Sequence, residues 1–341
     1  MRRARRNWPL LLALGVATAL LPSACKDSET PTSSSRVIAE SPSDPAMSRV
    51  TFTQEVCGVI PATLVITGNT RLACDVVCVN ATGPCIQFGN DNITLFLNGF
   101  KMSGVASPPT ACAASPATGT APDPGPFPFD GISTAGHDGV RIRGPGMVQT
   151  FRRHGIFMFG TDDAIVEHVT SHYNCYSGIF LGLSNDNDLS ENVSVRNGSA
   201  SGAAPCGGNC ITNSNGNRVR RNHFHGNGSV AAGPPLGTPN DFGVGLVGTS
   251  RDNVIEENSI GGNINGILLY PLTTGNLIRR NLIAGNPPVQ VSVTAGSPVG
   301  ADIRDASAPG ANTFIENHCI TYEGVTTPPP CPNFPRARGH Y

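Results

Sequence analysis

Basic and phenolic side chains gather in two neighbouring stretches of the chain, FRRHGIF and EHVTSHYNCYSG. The candidate set consists of Arg152, Arg153, His154, His172 and Tyr173, with Arg196 further along. An arginine can neutralise a carboxylate, and a histidine or tyrosine beside it can remove a proton from the neighbouring carbon. These residue types are therefore suited to β-elimination or to epimerisation next to a carboxylate.

Aromatic residues form a second candidate set. If Ile156 and Ile179 point inward on strands, alternation places their neighbours on the outer surface. The set consists of Phe157, Phe159, Phe180, Tyr176 and Tyr270, joined by His225. Aromatic faces stack on the C–H side of sugar rings, so we expect a saccharide platform; the alternative is that loop insertions simply cover these rings.

Asparagine recurs with a strict spacing, which defines the repeating structural units that carry the candidate residues. In DNVIEENSIGGNINGILLYPLTTGNLIRRNLIAGN, the asparagines at 253, 258 and 263 return 23 residues later at 276, 281 and 286. The same pattern occurs at 187, 192 and 197, at 217, 222 and 227, and at 312 and 317. A repeat of this length indicates stacked units.

Each unit contains short segments whose apolar residues alternate, which predicts strands and excludes a helical repeat. Wound as a triangular coil, successive rungs lie about 4.8 Å apart. Each inward asparagine can then bond to bare backbone groups and to its copies in neighbouring rungs, and asparagine also tolerates the left-handed backbone of a bend. We predict an all-β fold: one right-handed, three-sheet parallel β-helix of about nine rungs.

A Gly-Ile pair marks one strand of each rung. These strands together are called the first sheet here. The apolar marks fall at 132, 156, 179, 211, 244 and 267, with Cys210-Ile211 standing in for one pair. Three insertions, at 105–129, 199–208 and 228–241, leave after the third strand and return just before this mark. We expect them to wall a groove over the first sheet; passive loops are the alternative.

Charged residues at other rung positions favour structural roles. Arg220-Arg221, Glu256-Glu257 and Arg279-Arg280 alternate in sign and predict a solvated ion-pair ladder on the second sheet. His168 aligns with Asn192 and is interpreted as structural. His172, Arg196 and His225 are expected on the outer side of successive third strands, beside the groove.

These rungs resemble the parallel β-helix repeats of NosD-like and other carbohydrate-binding or sugar-hydrolase (CASH-type) proteins, over roughly residues 57–324. The resemblance implies the fold, but this architecture hosts lyases, epimerases, hydrolases and proteins without chemistry. Asp138 in GHDG and Asp162-Asp163 in GTDD faintly resemble the acidic residues of mannuronan epimerases and polygalacturonases, without the full motifs. Polar turn residues are the simpler interpretation; a weak Ca²⁺ site is the alternative.

The N-terminus predicts export. Residues 1–24 combine arginines with an apolar run, and Ser23-Ala24-Cys25 resembles a lipobox at which Cys25 would carry a membrane-anchoring lipid; free secretion is the alternative.

Residues 25–50 read as a flexible tether, 51–324 as the β-helix and 325–341 as a tail held by a disulfide. Removing residues 1–24 leaves 19 basic and 24 acidic residues, a balance unsuited to nucleic acid.

Ten cysteines follow Cys25, and an exported compartment permits disulfides. Cys57, Cys74, Cys78 and Cys85 are expected to pair among themselves, Cys319 with Cys331, and Cys206 with Cys210. We therefore expect a monomeric protein of the bacterial cell envelope that binds polysaccharide without a cofactor, either as a uronate lyase or epimerase or as a non-catalytic binding protein. Glycoside hydrolysis is a further alternative, which needs two suitably spaced carboxylates.

Overall fold

The computed structural model describes residues 51–79, 83–104, 130–198, 207–228, 241–286 and 300–331. Within these ranges the chain forms 25 strands, all paired in parallel, which wind into a right-handed β-helix. The predicted fold class is confirmed. The described residues make ten rungs, close to the nine expected, because the strand at the Gly-Ile mark occurs ten times.

The first sheet contains one strand from each rung. Its strands are β2 (Leu64–Ile66), β4 (Ile86–Phe88), β7 (Ile132–Ser133), β9 (Ile156–Phe159), β11 (Ser177–Gly182), β14 (Gly207–Thr212), β17 (Phe242–Val247), β20 (Asn265–Leu269), β23 (Ile303–Asp305) and β25 (Tyr322–Gly324). Ile156, Ile179 and Ile267 are fully or almost fully buried at equivalent positions, so this sheet presents its isoleucine side to the core.

The other two faces are joined by strands that run through the corner between them. The second sheet contains β5 (Thr94–Phe96), β12 (Asp188–Ser190), β15 (Arg218–Arg220), β18 (Val254–Glu256), β21 (Leu277–Arg279) and β24 (Thr313–Ile315). The third contains β6 (Lys101–Gly104), β13 (Val193–Val195), β16 (His223–His225), β19 (Ser259–Gly261) and β22 (Leu282–Ile283). The long strands β1 (Gln54–Ile60), β3 (Thr70–Cys78), β8 (Arg141–Gln149) and β10 (Ile165–His172) belong to both.

Three asparagine ladders run along the inside of the corners. They consist of Asn187, Asn217, Asn253, Asn276 and Asn312; of Asn192, Asn222, Asn258, Asn281 and Asn317; and of Asn174, Asn197, Asn227, Asn263 and Asn286. Each Oδ1 accepts a backbone N–H of the preceding rung, and most also accept the Nδ2 of the asparagine there, as at Asn258, where Asn222 donates over 2.9 and 3.0 Å. The ladders therefore satisfy the backbone groups that each bend leaves unpaired.

The third ladder ends on a carboxylate. Asp302 accepts from Asn286 through Oδ1 and from the backbone N–H groups of Ile320 and Thr321 through Oδ2. Every earlier ladder residue must also donate to the next rung, which an ionised aspartate cannot do. An aspartate therefore fits at this last position, where only acceptors are needed.

The left-handed backbone is not on the ladder asparagines, so the expectation that they adopt it is wrong. Positive φ angles occur at the residue before every ladder asparagine except Asn312, for example 57° at Glu191 and Glu257 and 52° at Arg280. Such a conformation costs about 1 kcal/mol or more for a residue other than glycine. The bend turns this residue outward and the following asparagine inward, so the ladder bonds offset the strain.

Ion pairs on the second sheet agree with the predicted ladder. Arg220 pairs with Asp188 over 2.7 Å, Arg279 with Glu256 over 2.5 Å and Arg280 with Glu257 over 2.9 Å. His168 belongs to this outer column, because it lies opposite Glu191 with an Nδ1–Oε2 distance of 3.5 Å. Its alignment with Asn192 is therefore wrong; Val169 occupies that position and donates its backbone N–H to Asn192.

The register of one rung also differs from the sequence alignment. Asn209 of β14, rather than Ile211, lies opposite Ile179, and Gly208 takes the place of the marking glycine. Asn209 is buried and neither polar atom of its side chain has a partner. The sequence alignment failed here because the only isoleucine of the segment lies two residues further on.

The predicted insertions lie largely outside the described residues. The chain leaves the described part after Gly104, Gly198 and Gly228, and re-enters at Asp130, Gly207 and Asp241, in each case between a third-sheet and a first-sheet strand. The insertions therefore lie at the predicted corner, between the third and first sheets. Gly207 and Gly208 belong to β14, however, and not to the insertion at 199–208. Whether these segments wall a groove stays a prediction.

Disulfides connect Cys57 with Cys74, Cys78 with Cys85, and Cys319 with Cys331. Cys175 is also disulfide-bonded. The expected bond between Cys206 and Cys210 is wrong, because Cys210 is a free thiol buried on the outer side of the first sheet. Burial raises the pKa of this thiol to about 11, so it is protonated at neutral pH.

Candidate functional site

Strands β9 and β11 hold an aromatic cluster on the outer side of the first sheet, made of His154, Phe157, Phe159, Tyr176 and Phe180. Strand alternation positions it, because Ile156, Met158, Ile179 and Leu181 point into the core. Phe159 is 48% exposed, whereas Phe157 and Phe180 are partly buried. The predicted outward direction of the three phenylalanines is correct.

Three rings of the aromatic cluster lie nearly parallel to the ring of Phe157. The centroid of Phe157 lies 5.3 Å from that of Phe180, 5.5 Å from that of His154 and 6.0 Å from that of Phe159, with interplanar angles of 10–16°. Gly182 leaves space for this arrangement, since a Cβ at that position would lie 2.7 Å from the Phe180 ring and 2.9 Å from the Phe159 ring. The cluster therefore presents a continuous aromatic surface of about two rungs.

Asp130 organises the base of the cluster. It is buried, and its carboxylate accepts from Arg153 through both oxygens, at 3.1 Å from Nε and 3.0 Å from Nη2, and from the backbone N–H of His154 at 3.1 Å. The Arg153 guanidinium lies 4.2 Å from the centroid of Phe157. Burial raises the pKa of Asp130 to about 6, although the Arg153 charge and the hydrogen bonds oppose that rise.

Two buried polar atoms beside the rings have no hydrogen-bond partner, Nδ1 of His154 and Oγ of Ser177. The two residues occupy equivalent positions in adjacent rungs, as the pairing of Ile156 with Ile179 requires. Burial, and to a smaller extent the Arg153 charge, lowers the pKa of His154 well below its ordinary value, so the imidazole is neutral at pH 7. Unpaired buried polar groups are costly, and a ligand could satisfy them.

Tyr270 belongs to a neighbouring apolar strip. It packs with Phe180 and Val247 against Cys210, Phe242 and Leu268 on the same outer side of the first sheet. Phe180, Cys210, Gly245 and Leu268 lie in one row across four successive rungs. An apolar strip therefore continues beyond the aromatic cluster for three further rungs, and Cys210, Phe242 and Leu268 are buried in it.

The predicted catalytic residues fall into two groups. His172, Tyr173 and Arg196 form a tyrosine cluster where β10 and β13 end: the rings of His172 and Tyr173 are 4.1 Å apart, and Arg196 donates to the Tyr173 hydroxyl. Partial burial and the Arg196 charge lower the pKa of His172, which keeps the imidazole neutral. Arg153 and His154 belong to the aromatic cluster instead, and Arg152 is buried.

The predicted row of His172, Arg196 and His225 is only partly correct. The register places Val195 between His172 and His225, while Arg196 lies at the next bend with a φ of 54°. His225 is exposed and its ring stacks beside that of His223, 6.0 Å away. The structure therefore brings Arg196 to Tyr173 and leaves His225 apart from both.

The aspartates considered for a metal or for hydrolysis serve a turn ladder. Asp138 Oδ1 accepts the backbone N–H of Asp162 over 2.8 Å, and Asp162 Oδ1 accepts that of Asn185 over 2.7 Å. Asp163 is exposed at the bend with a φ of 56°. Across the described ranges, no group of three or more histidine, cysteine or acidic residues is placed to hold a metal ion.

Sequence reasoning missed Asp130 and Ser177. Each directly precedes a marking glycine, at the position that His154 occupies in the rung between them. A comparison of that one column across rungs would have found both residues. Their contribution depends on burial on the outer side of the sheet, which no sequence spacing reveals.

The predicted lipid-carrying Cys25, the export signal and the tether all lie outside the described residues. In the part of the chain that the structure describes, no helix has the length and apolar character needed to cross a membrane.

Comparison with known proteins agrees with this fold. The Dettilon tailspike protein has a TM-score of 0.50 at 17% identity, over 78% of this chain and 55% of its own. A periplasmic alginate epimerase has a TM-score of 0.47 at 17% identity, over 79% of this chain and 58% of its own, and an alginate lyase from Paenibacillus sp. has 0.43 at 12%, over 82% and 94%. At these identities the likeness concerns the fold alone.

The chain thus spans little more than half the length of the tailspike and epimerase chains. None of the curated proteins compared with the chain matches it in sequence. The family described as "Right handed beta helix region" matches residues 130–318, more than half of the chain and nearly all of the rungs that carry the asparagine ladders. The protein therefore belongs to the right-handed beta helix family.

Proposed function

We propose that the protein binds polysaccharide along the outer side of its first sheet. The observation that carries this proposal is the aromatic cluster with the unpartnered Nδ1 of His154 and Oγ of Ser177 beside it. A sugar ring offers an apolar C–H face for stacking and hydroxyl groups for hydrogen bonding, and both kinds of partner occur together here.

Arg153 favours an acidic glycan. Asp130 engages Nε and Nη2, which leaves N–H groups of the guanidinium for a second acceptor. A uronate carboxylate is such an acceptor, and charge-assisted bonds to arginine are strong. Because Asp130 and Phe157 hold the guanidinium on two sides, little side-chain entropy is lost on binding.

We further propose export to the cell envelope, with a lipid on Cys25 or as a free secreted form, and a monomeric state. The disulfides support an oxidising compartment. The amino-terminal arginine-rich and apolar sequence supports the signal.

Replacing Phe159 with alanine is expected to weaken glycan binding about tenfold, since one stacked ring contributes about 1 kcal/mol or slightly more. Phe159 is largely exposed, so the melting temperature should change little. Calorimetric titration with alginate, pectate and a neutral glucan measures the affinity and the preference for acidic chains.

Leu183→Ala is the matched control, because Leu183 is 52% exposed and lies just after β11, outside the aromatic cluster. Equal affinities of the Phe159→Ala variant and the wild-type protein would contradict the proposed platform. Absence of binding to every glycan tested would contradict the function itself.

A second candidate function, β-elimination or epimerisation of a uronate, is favoured by the tyrosine cluster. Neutral His172 is suited to remove the proton from the carbon beside the carboxylate, and Arg196 holds the Tyr173 hydroxyl beside it, where it can return a proton to the leaving oxygen. Asp138 and Asp162 accept backbone hydrogen bonds in the turn ladder, so glycoside hydrolysis gains no comparable support.

Tyr173→Phe is expected to lower the rate of such a reaction at least 100-fold, because the phenolic proton donor is lost. The readouts are ultraviolet absorbance of the unsaturated product from alginate, pectate and glycosaminoglycans, and the uronate configuration by NMR. His168→Gln is the control, since His168 is an exposed member of the ion-pair column. Undiminished activity in the Tyr173→Phe variant would exclude the tyrosine cluster as the catalytic site. If the wild-type protein catalysed no reaction, the non-catalytic binding function would be the remaining candidate.

A further inference from the structure

We propose that His223 and His225 form a two-histidine site for a divalent transition-metal ion on the third sheet. They are the first and last residues of β16, so strand alternation projects both side chains to the same side. Phe224 between them is buried in the core, and both histidines are exposed. The proposal is independent of glycan binding on the first sheet.

The separation of the two rings suits a shared ion. Their centroids are 6.0 Å apart and their planes differ by 14°. A zinc ion lies about 2.0–2.1 Å from a ligating imidazole nitrogen, which places each ring centre about 3 Å from the ion. Two rings bound to one ion therefore sit up to about 6 Å apart, a separation that rotation of both rings about their side-chain torsions converts into a shared ligand position.

The surroundings of the pair leave room for the ion and its water ligands. In the adjacent rungs His223 lies between Val193 and Ser259, and His225 lies between Val195 and Gly261. The His225 ring lies over Gly262, where a Cβ would come within 2.9 Å of Cε1. Small residues in the following rung, Ser259 and Gly261 among them, therefore keep the outer side of the pair open.

The two nearby arginines are engaged by other side chains. Arg196 donates to the Tyr173 hydroxyl, and Arg221, two residues before His223, pairs with Glu191 over 3.0 Å. Among the hydrogen bonds and ion pairs of the described residues, none engages the ring nitrogens of His223 or His225. Both imidazoles are therefore available as ligands.

The donor set defines the class of ion. Imidazole nitrogen suits Cu²⁺, Ni²⁺ and Zn²⁺, whereas Ca²⁺ and Mg²⁺ require a shell of oxygen ligands. Cu²⁺ forms the most stable complexes of the divalent first-row ions, which makes it the most sensitive probe. Pairing of β16 with strands on both sides fixes the spacing of the histidines before the ion arrives, so little ordering accompanies binding.

Titration of the purified, untagged full chain with Cu²⁺ in a non-coordinating buffer tests the site by calorimetry and electron paramagnetic resonance. We expect one ion at this site, with a spectrum that shows two coordinated nitrogens, and weaker binding at acidic pH because protons compete for the imidazoles. His223→Gln and His225→Gln should each lower the affinity at least tenfold and leave one coordinated nitrogen.

His318→Gln is the matched control, because His318 is a single exposed histidine on another rung. Melting temperatures of all three variants establish that each is folded. Equal affinity of the His223→Gln variant and the wild-type chain, absence of Cu²⁺ binding by the wild type, or loss of binding in His318→Gln alone would each overturn the proposal.

Discussion

Replacing Asn258 with alanine is expected to lower the free energy of unfolding by about 3–5 kcal/mol. Asn258 is almost fully buried in the middle of its ladder. Its Oδ1 accepts two N–H groups of Asn222 over 2.9 and 3.0 Å, and its Nδ2 donates to the Val219 carbonyl over 2.9 Å. Alanine removes these three hydrogen bonds and the bond that Nδ2 donates to Oδ1 of Asn281, and the loss of each in a site away from water costs about 1 kcal/mol.

Denaturant unfolding followed by circular dichroism measures this loss. Asn90→Ala is the matched control: Asn90 is exposed and donates a single hydrogen bond, to the Thr67 carbonyl over 2.7 Å. We expect the control to change stability by less than about 1 kcal/mol. A loss at Asn258 no larger than the loss at Asn90 would mean that the ladder does not hold the rungs together.

Replacing Arg153 with methionine is expected to destabilise the protein by about 3 kcal/mol at pH 7.5, because it leaves the buried Asp130 carboxylate without its counter-ion. Methionine keeps the apolar part of the side chain against Phe157, so the loss reports mainly the charge. The double variant Arg153→Met with Asp130→Asn should recover most of the stability, since the buried charge is then absent. Failure of the second substitution to restore stability would contradict this account of the pair.

The pH dependence of stability provides a separate test of Asp130. Its folded-state pKa of about 6 lies above the ordinary value of 3.8, so between these values the folded state binds more protons than the unfolded state. The contribution of Asp130 to the free energy of unfolding is therefore fully present below pH 4. It declines by roughly 2–3 kcal/mol as the pH rises towards and through 6. Asp130→Asn should remove this decline, and equal pH dependence in both proteins would exclude the raised pKa.

The asparagine repeat was predictable because its two causes, the unpaired backbone of each bend and the alternation of side chains along each strand, depend only on residues close in the sequence. Asparagines 253, 258 and 263 recur as 276, 281 and 286 since each bend exposes the same backbone groups in every rung. Alternation along each strand likewise assigns Phe157, Phe159 and Phe180 to the outer side. The positive φ at Glu257 and Arg280 was not predictable in the same way, because charged residues have no intrinsic preference for that conformation and adopt it only when the ladder compensates.

The candidate site was predictable only in outline. Arg153 and His154 were recognised by residue type, but their grouping with His172 and Tyr173 was not resolved, because His172 and Tyr173 lie where a third-sheet strand ends, whereas Arg153 and His154 lie where a first-sheet strand begins. Asp130 and Ser177 gave no signal of their own. The roles of the buried Asp130 carboxylate and the unpartnered Ser177 hydroxyl depend on side chains of the neighbouring rung, which lies about 24 residues away in the chain.

The amino-acid sequence by itself determined that this protein is a stack of three-stranded rungs, because the periods of two, five and 23 residues follow from strand geometry and from unpaired backbone at the bends. The tertiary structure alone decided which side chains meet. The register between rungs sets those contacts, and a shift of two residues, as at Asn209, leaves the local pattern intact while it changes every neighbour.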